Sequence, residues 1–350
     1  MKAPLLLAPM AEISHRALRE LIEEFGGCDG YYTEMISAAA LLAGGPFEQW
    51  YIDNGPCPEK LVFQLVGADI GHIAKAAALL DRMECAGIDL NMGCCAPLIR
   101  KTGAGIAWMH SIDRAGELVQ AVRKTVHRRL SVKLRIGFTD DFDYLVRFCR
   151  RLEAEGVEFI VLHPRTAKEK LKRTARWNYV DALRQELHIP VAGNGDIASA
   201  EDLIRRAGRL ANGQSVGLCD AVMVGRAAVQ QPWIFAEARN NLLHKDFTPR
   251  RKGAEESEKL TKYTQNFAYS APLREEFRDE FSFIEATGLR FLELLARWQP
   301  PEFHISRARR FFGFFCDNLQ WGNYLKNQLN RETSLSGMEQ VWRGYFNGER

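Results

Sequence analysis

The feature that most constrains this chain is an alternation repeated eight times over its first two thirds. Short apolar runs occur at Leu5–Ala8, Gly30–Glu34, Leu61–Leu65, Gly87–Leu90, Ser131–Leu134, Phe159–Leu162, Pro190–Ala192 and Ala221–Val224. Longer amphipathic stretches separate them, among them Ile73–Ala86, Ile112–Val126, Asp143–Glu155 and Ala200–Ala207. Strands alternating with helices predict a parallel sheet, and eight such repeats predict an α/β fold of the (β/α)8 TIM-barrel type. Most of the runs are continuously apolar, as expected of strands covered on both faces.

The pattern changes near residue 240. His244–Ser257 is polar and charged and suits a connector. Beyond it, helix-like runs at Lys259–Tyr269, Glu275–Trp298, Ile305–Asn318 and Met338–Phe346 lack any strand alternation. The expected organisation is a catalytic barrel over 1–243, a linker over 244–257 and a small all-helical C-terminal domain over 258–350.

Composition excludes several classes. The 350 residues are 46% apolar and 26% charged, which fits neither a disordered chain nor a coiled-coil rod. No uncharged apolar stretch reaches the ~18 residues that a membrane span needs. Ala3–Ala11 is interrupted by Pro4 and Pro9, too broken for a signal peptide. The net charge of +3 permits a polyanionic partner without demanding one. Eight cysteines without zinc spacing predict free thiols, no metal site and a cytoplasmic location.

In such barrels chemistry gathers on the loops at the C-terminal ends of the strands. The runs are followed by, or carry, Pro9-Met10-Ala11, Thr33-Glu34-Met35, Gln64, Asn91-Met92-Gly93-Cys94, Lys133 and Arg135, His163 and Arg165, Asn194-Gly195-Asp196, and Gly225-Arg226. Nearly every strand thus delivers a polar or reactive group to one rim. Glycine turns after strands seven and eight, with Arg226, suit a phosphate group; singly, each is as compatible with an ordinary tight turn. Lys133 inside a strand is costly unless it faces a polar site, although a lysine snorkelling from the strand end is the alternative. Gln64 and Asn91 suit the polar edge of a flat heterocycle or, equally, local backbone groups. Cys94 is the best candidate acid, since a thiol with a pKa of ~8.5 is mostly protonated at neutral pH.

Taken together, LAPMAEISHRALR, FQLVG, DLNMGC followed by GAGIAWM, SVKLRIGF, VLHPRT, VAGNGDI and DAVMVGRAAVQQPWIF resemble the tRNA-dihydrouridine synthase family. The resemblance runs from Leu5 to about Phe235 and rests on the order and spacing of these segments. It implies FMN on a (β/α)8 barrel followed by a helical RNA-binding domain. It places Pro9, Met10, Ala11, Gln64, Lys133 and His163 against the flavin, and Asn194, Gly195, Asp196, Gly225 and Arg226 on its phosphate side. It also implies Asn91, Arg135 and Arg165 as substrate contacts. The reaction implied is reduction of specific uridines in tRNA to 5,6-dihydrouridine. NADPH or NADH reduces FMN, hydride passes to C6, and Cys94 protonates C5. Two positions depart from the family pattern: Cys95 stands where proline follows the cysteine, and Pro164 where glycine follows the histidine. The Gly-Tyr-x-Gly segment usual after Thr166 is replaced by AKEKLKRTARW.

The expected partner is tRNA, or another structured RNA, with no membrane and a monomeric protein. The basic run Arg165, Lys168, Lys170, Lys172, Arg173 and Arg176 is one candidate RNA surface. Arg307, Arg309 and Arg310, with Phe303, Phe311, Phe312 and Trp321, are another. Both segments are equally readable as a solvated charged face and a helical core. Alternative functions are a synthase acting on ribosomal RNA, an FMN oxidoreductase of a free pyrimidine or enone, and a non-catalytic RNA-binding relative.

Overall fold

The computed structural model describes residues 3–170, 172–207, 219–243 and 279–348. The expected linker and the helix at Lys259–Tyr269 lie outside the described residues. All eight expected strands form: β1 (Leu5–Leu7), β2 (Tyr31–Ser37), β3 (Leu61–Val66), β4 (Gly87–Met92), β5 (Arg129–Gly137), β6 (Phe159–Thr166), β7 (Val191–Asn194) and β8 (Ala221–Val224). They pair in parallel in the order β1-β8-β7-β6-β5-β4-β3-β2. One parallel bridge, Leu6 to Gly30, brings β1 back to β2. There the Leu7 N–H donates to Gly30 O at 2.9 Å and the Asp29 N–H to Leu5 O at 2.8 Å. The result is a (β/α)8 barrel followed by a helical C-terminal region.

Successive side chains on a strand point to opposite faces, so the barrel divides its residues by parity. Leu5, Leu7, Phe63, Leu65, Ile88, Leu90, Val132, Leu134, Ile160, Leu162, Val222 and Val224 belong to the main buried cluster with the surrounding helices. Leu6, Ala8, Tyr32, Val62, Phe159, Val161, Ala192, Ala221 and Met223 form a second cluster, which plugs the lumen. Further along the same inward faces the side chains become polar: Gln64, Asp89, Asn91, Ser131, Lys133, Arg135, His163 and Asn194. The register sets Gln64 beside Asp89, Asp89 beside Ser131, Asn91 beside Lys133 and Arg135 beside His163. SVKLR is therefore an alternating strand, with Val132 and Leu134 outward and Ser131, Lys133 and Arg135 inward.

Two irregularities refine the sequence expectations. β2 does not stop at Glu34 but continues to Ser37, with a register shift between Tyr32 and Met35. Three steps on β2 oppose two on β3, so Thr33 and Glu34 sit in a bulge that re-aims their side chains. A second shift lies where Arg135 pairs with His163 but Gly137 pairs with Thr166. The extra residue falls in Pro164-Arg165, and a bulge is where a strand tolerates a proline that cannot donate to the ladder.

In the helical region, helices span Glu280–Trp298, Pro301–Phe315, Gly322–Leu329 and Leu335–Phe346. Pro301 opens the second helix, which accounts for its start four residues before the expected Ile305. The Gly322–Leu329 helix was not expected. Phe291, Phe311, Phe312, Phe315 and Trp342 fill the core, with Phe291 and Phe311 stacked at 3.7 Å between centroids. Gly288 makes room for Trp342, whose ring atoms would lie 2.5 Å from a Cβ there.

The region packs directly on the barrel. Arg307 donates to Glu34 Oε2 at 2.6 Å, both side chains being almost fully buried. Arg290 pairs with Glu24 at 2.7 Å, and Arg310 with Glu12 at 2.8 Å. The Arg16 guanidinium lies 3.2 Å from the Trp298 ring centroid. These contacts correct one expectation: Arg307, Phe311 and Phe312 are core and interface residues, not an exposed RNA surface.

Candidate active site

β3 and β4 carry the first part of the site. Gln64, fully buried, donates from Nε2 to Asp89 Oδ2 at 2.7 Å and accepts from Asn91 Nδ2 at Oε1 at 2.8 Å. Asn91 Oδ1 in turn accepts the Gly93 N–H at 3.2 Å and the Cys94 N–H at 2.9 Å. The Cys94 carbonyl accepts from the Ile106 N–H at 3.0 Å. Gly105 makes that close approach possible: it has φ +61°, and a Cβ would fall 2.5 Å from Cys94 O. Both backbone groups of Cys94 are thus held at the rim, and its half-buried side chain is what remains free to react. Burial pushes the Cys94 thiol up, and the neighbouring Cys95 adds to it. The Ala96 N–H and the cations Arg135 and Lys133 oppose the shift without cancelling it.

β5 supplies the cations. Lys133 donates to Asn194 Oδ1 at 3.0 Å, and Asn194 Nδ2 donates to Met223 O at 2.8 Å. Lys133 thereby spans the lumen from β5 to β7. Burial, then Arg135, lowers its pKa to about 8, while Asp89 and Cys94 pull the other way. Arg135 donates to Thr166 O at 3.2 Å and Lys170 O at 3.1 Å, so it also braces the loop after β6.

β6 and β7 build a second cluster. Arg165 meets His163 Nε2 at 2.9 Å, Asp196 Oδ1 at 2.5 Å and the Arg173 carbonyl. Asp196 Oδ2 also accepts the Ala175 N–H at 2.6 Å. Burial, followed by the cations Lys133, Arg135, Arg165 and Arg226, drives the His163 pKa down to about 2. His163 is therefore neutral, and the Arg165 donor facing Nε2 places its ring proton on Nδ1. Gly195, at φ +121°, lies against this ring; a Cβ there would sit 3.1 Å from His163 Cδ2.

The turn after β8 and the loop after β1 close the ring. The Ala8 N–H donates to Val224 O at 2.8 Å, and Met10 Sδ lies 3.6 Å from the Cβ position of Gly225. Met10 takes its loop geometry from Ser14, whose Oγ accepts the Met10 N–H at 2.9 Å. Pro9 is half-buried and Ala11 exposed beside it. The Arg226 carbonyl accepts from the Val229 and Gln230 N–H groups, while its exposed side chain has no hydrogen-bond or ion-pair partner among the described residues.

The residues singled out in the sequence thus gather on one rim, in two linked groups. Arg165 is the exception in kind, since its donors are spent on His163, Asp196 and Arg173. Arg176 likewise pairs with Glu169 and Asp140, leaving Lys168, Lys170, Lys172 and Arg173 as the exposed part of the basic run. Sequence reasoning missed Asp89 and Ser131, whose side chains meet at 2.6 Å beneath the site. Their signal was parity: Asp89 lies two residues before Asn91, and Ser131 two before Lys133. Burial lifts the Asp89 carboxyl to about 6, held back by Ser131 and Gln64. No group of three or more potential metal ligands occurs among the described residues, and none of the described helices is long and apolar enough to cross a membrane.

A closed eight-stranded parallel barrel with a thiol, a half-buried lysine and glycine turns on its C-terminal rim defines a class of TIM-barrel proteins with a polar ligand site at that mouth. Comparison with known proteins narrows the class. A family described as dihydrouridine synthase (Dus) matches residues 6–286. A protein named probable tRNA-dihydrouridine synthase, from Aquifex aeolicus (strain VF5), is 32% identical over 241 residues, covering 67% of this chain and 72% of that one. The tRNA-dihydrouridine(16) synthase of Ralstonia nicotianae (strain ATCC BAA-1114 / GMI1000) is 30% identical over 247 residues, covering 68% and 73%. Among solved structures, a 2-naphthoyl-CoA reductase in complex with 2-naphthoyl-CoA aligns with TM-score 0.50 at 10% identity. It covers 68% of this chain and 50% of that one, a likeness of fold alone. The chain belongs to the dihydrouridine synthase family.

Proposed function

We propose that this protein reduces the C5=C6 double bond of a uridine in tRNA, with FMN held on the barrel rim and NADPH or NADH as the ultimate reductant. The donor set suits that cofactor. Gln64, Lys133, Asn194 and the Nδ1–H of His163 offer neutral and cationic partners for the polar edge of an isoalloxazine ring. Backbone N–H groups at Gly195, Asp196 and Gly225, with the Arg226 side chain, would suit its phosphate, and Pro9, Met10 and Ala11 would border the ring. When bound and reduced, FMN supplies hydride for C6 of the base.

The observation that carries the reading is Cys94, a thiol kept protonated at the rim with two cations close by. It holds the proton that C5 requires once C6 has accepted hydride, so hydride and proton together saturate one double bond. Lys133 and Arg135 stabilise the thiolate left on Sγ. Asn91 and Arg135, flanking the Cys94 loop, would meet the carbonyl edges of the base. Arg165 acts behind them by holding His163 and the loop after β7. A uridine inside folded RNA must leave its stack to reach this mouth. The exposed Lys168, Lys170, Lys172 and Arg173 favour a polyanion over a free pyrimidine.

The test is conversion of uridine in tRNA lacking dihydrouridine. The purified protein should show flavin absorbance that bleaches with NADPH or NADH. Cys94→Ala should retain that absorbance and lose about 100- to 10,000-fold in product formation, the usual contribution of a positioned acid. Full product formation by Cys94→Ala would remove the cysteine from the role.

A further inference from the structure

Asp89 lies in the barrel lumen, fully buried, one layer below the rim. An ionised carboxylate only accepts hydrogen bonds, and a backbone N–H only donates. Between the Asp89 carboxylate and the Cys94 N–H stand two side-chain amides, and the arrangement has a single consistent direction. Asp89 Oδ2 takes the Gln64 amino group at 2.7 Å, which turns Gln64 Oε1 toward Asn91. Gln64 Oε1 takes the Asn91 amino group at 2.8 Å, which turns Asn91 Oδ1 toward the backbone of Gly93 and Cys94. Reversing Asn91 would set its amino group against the Cys94 N–H, and reversing Gln64 would set its carbonyl oxygen against the Asp89 carboxylate. The other Asp89 oxygen is anchored by the Ser131 hydroxyl at 2.6 Å.

We propose that Asp89 is a positioning residue for the reactive thiol, acting through Gln64 and Asn91 to hold the Cys94 loop in the geometry that keeps its Sγ half-buried at the rim. The importance of this for catalysis rests on the reading of Cys94 as the acid; the positioning itself does not. Asp89 touches neither base nor cofactor in this scheme. It sets which way two amides face, and through them where the Gly93 and Cys94 N–H groups are held.

The experiment reads thiol protection, not turnover. Alkylation of Cys94 by iodoacetamide is followed by mass spectrometry in the purified protein, with the fully buried Cys149 as internal control. Loss of one buried hydrogen bond of about 1 kcal/mol corresponds to roughly a five-fold change in the population of the open loop. Asp89→Ala is therefore expected to speed Cys94 alkylation about five-fold, with Cys149 unchanged. Gln64→Glu faces one carboxylate with another and should do the same. Adding Asp89→Asn to Gln64→Glu transposes amide and carboxylate, restores the direction of the chain and should return Cys94 to the protection of the unaltered protein. This pair also carries the test should Asp89→Ala fail to fold.

Unchanged Cys94 alkylation in the single variants, equal acceleration at Cys149, or a double variant no better than Gln64→Glu would each overturn the proposal. Failure of the functional reading looks different. It would appear as Asp89-dependent protection of Cys94 in a protein that makes no dihydrouridine.

Discussion

The barrel mouth and the helical region both bury arginine side chains, yet they surround them with opposite kinds of neighbour. At the mouth, polar groups converge with valence to spare: the Arg226 side chain has no hydrogen-bond or ion-pair partner among the described residues, and the Cys94 thiol meets only the Ala96 N–H. In the helical region Arg307 is saturated by Glu34 and by the rings of Phe303 and Tyr51, at 4.5 and 5.6 Å. One region keeps its chemistry available for a ligand, while the other spends it on docking two parts of the same chain. Residue type did not distinguish them; position relative to the structural period does. Arg307, Phe311 and Phe315 recur every four residues along one helix and share its buried face, whereas Lys133 stands in the inward parity of a strand.

The sharpest way to break this contrast is to remove each region's cation. Arg307→Ala leaves the Glu34 carboxylate buried without its partner and should cost about 3–5 kcal/mol, read by denaturant unfolding. A loss below ~1 kcal/mol would mean that water reaches Glu34 and that the docking is not built on this pair. Lys133→Met should act with the opposite sign on stability. Its ammonium is held at about 8 against an ordinary 10.5, so the native protein pays for that charge at neutral pH. Replacing it should stabilise flavin-free protein at pH 7 by ~1–3 kcal/mol, while weakening whatever anionic ligand the site holds. Between pH 8 and 10.5 Lys133 is protonated in the unfolded chain and neutral in the native state, so its own contribution to stability rises with pH. The advantage of Lys133→Met should therefore be full below pH 8 and gone near pH 10.5; an advantage independent of pH would assign it to packing. Smallest of all, Arg310→Ala removes an exposed pair with Glu12 and should change stability by less than about 1 kcal/mol.

Much of this was legible beforehand, and the reasons differ from place to place. The eight strands were readable because each is bounded by turn residues and separated by helical periodicity. The rim groups were readable because barrel chemistry follows strand ends. Asp89 was not singled out because it looks like one acid in DLNM, and only the register that sets it between Gln64 and Ser131 reveals its neighbours. Arg165 was expected as a substrate contact, and its neighbours could not be read beforehand: the bulge at Pro164-Arg165 brings it to His163 and Asp196. The β2 bulge was likewise invisible, since one extra residue leaves no mark on composition, yet it is what turns Glu34 toward Arg307.

The closure of the barrel has a further consequence. Seven of its joins are paired ladders, two of them interrupted by a bulge, and the eighth is the lone bridge from Leu6 to Gly30. Across that seam Arg239 grips the carbonyls of Gly26 and Gly27 and the carboxylate of Asp29, and Arg290 clasps Glu24 just before them. The chain's later helices thus stitch shut the cylinder that its earlier ones began. Trimming them away would do more than shorten the protein: it would unpick the hem along which the staves are least well fastened.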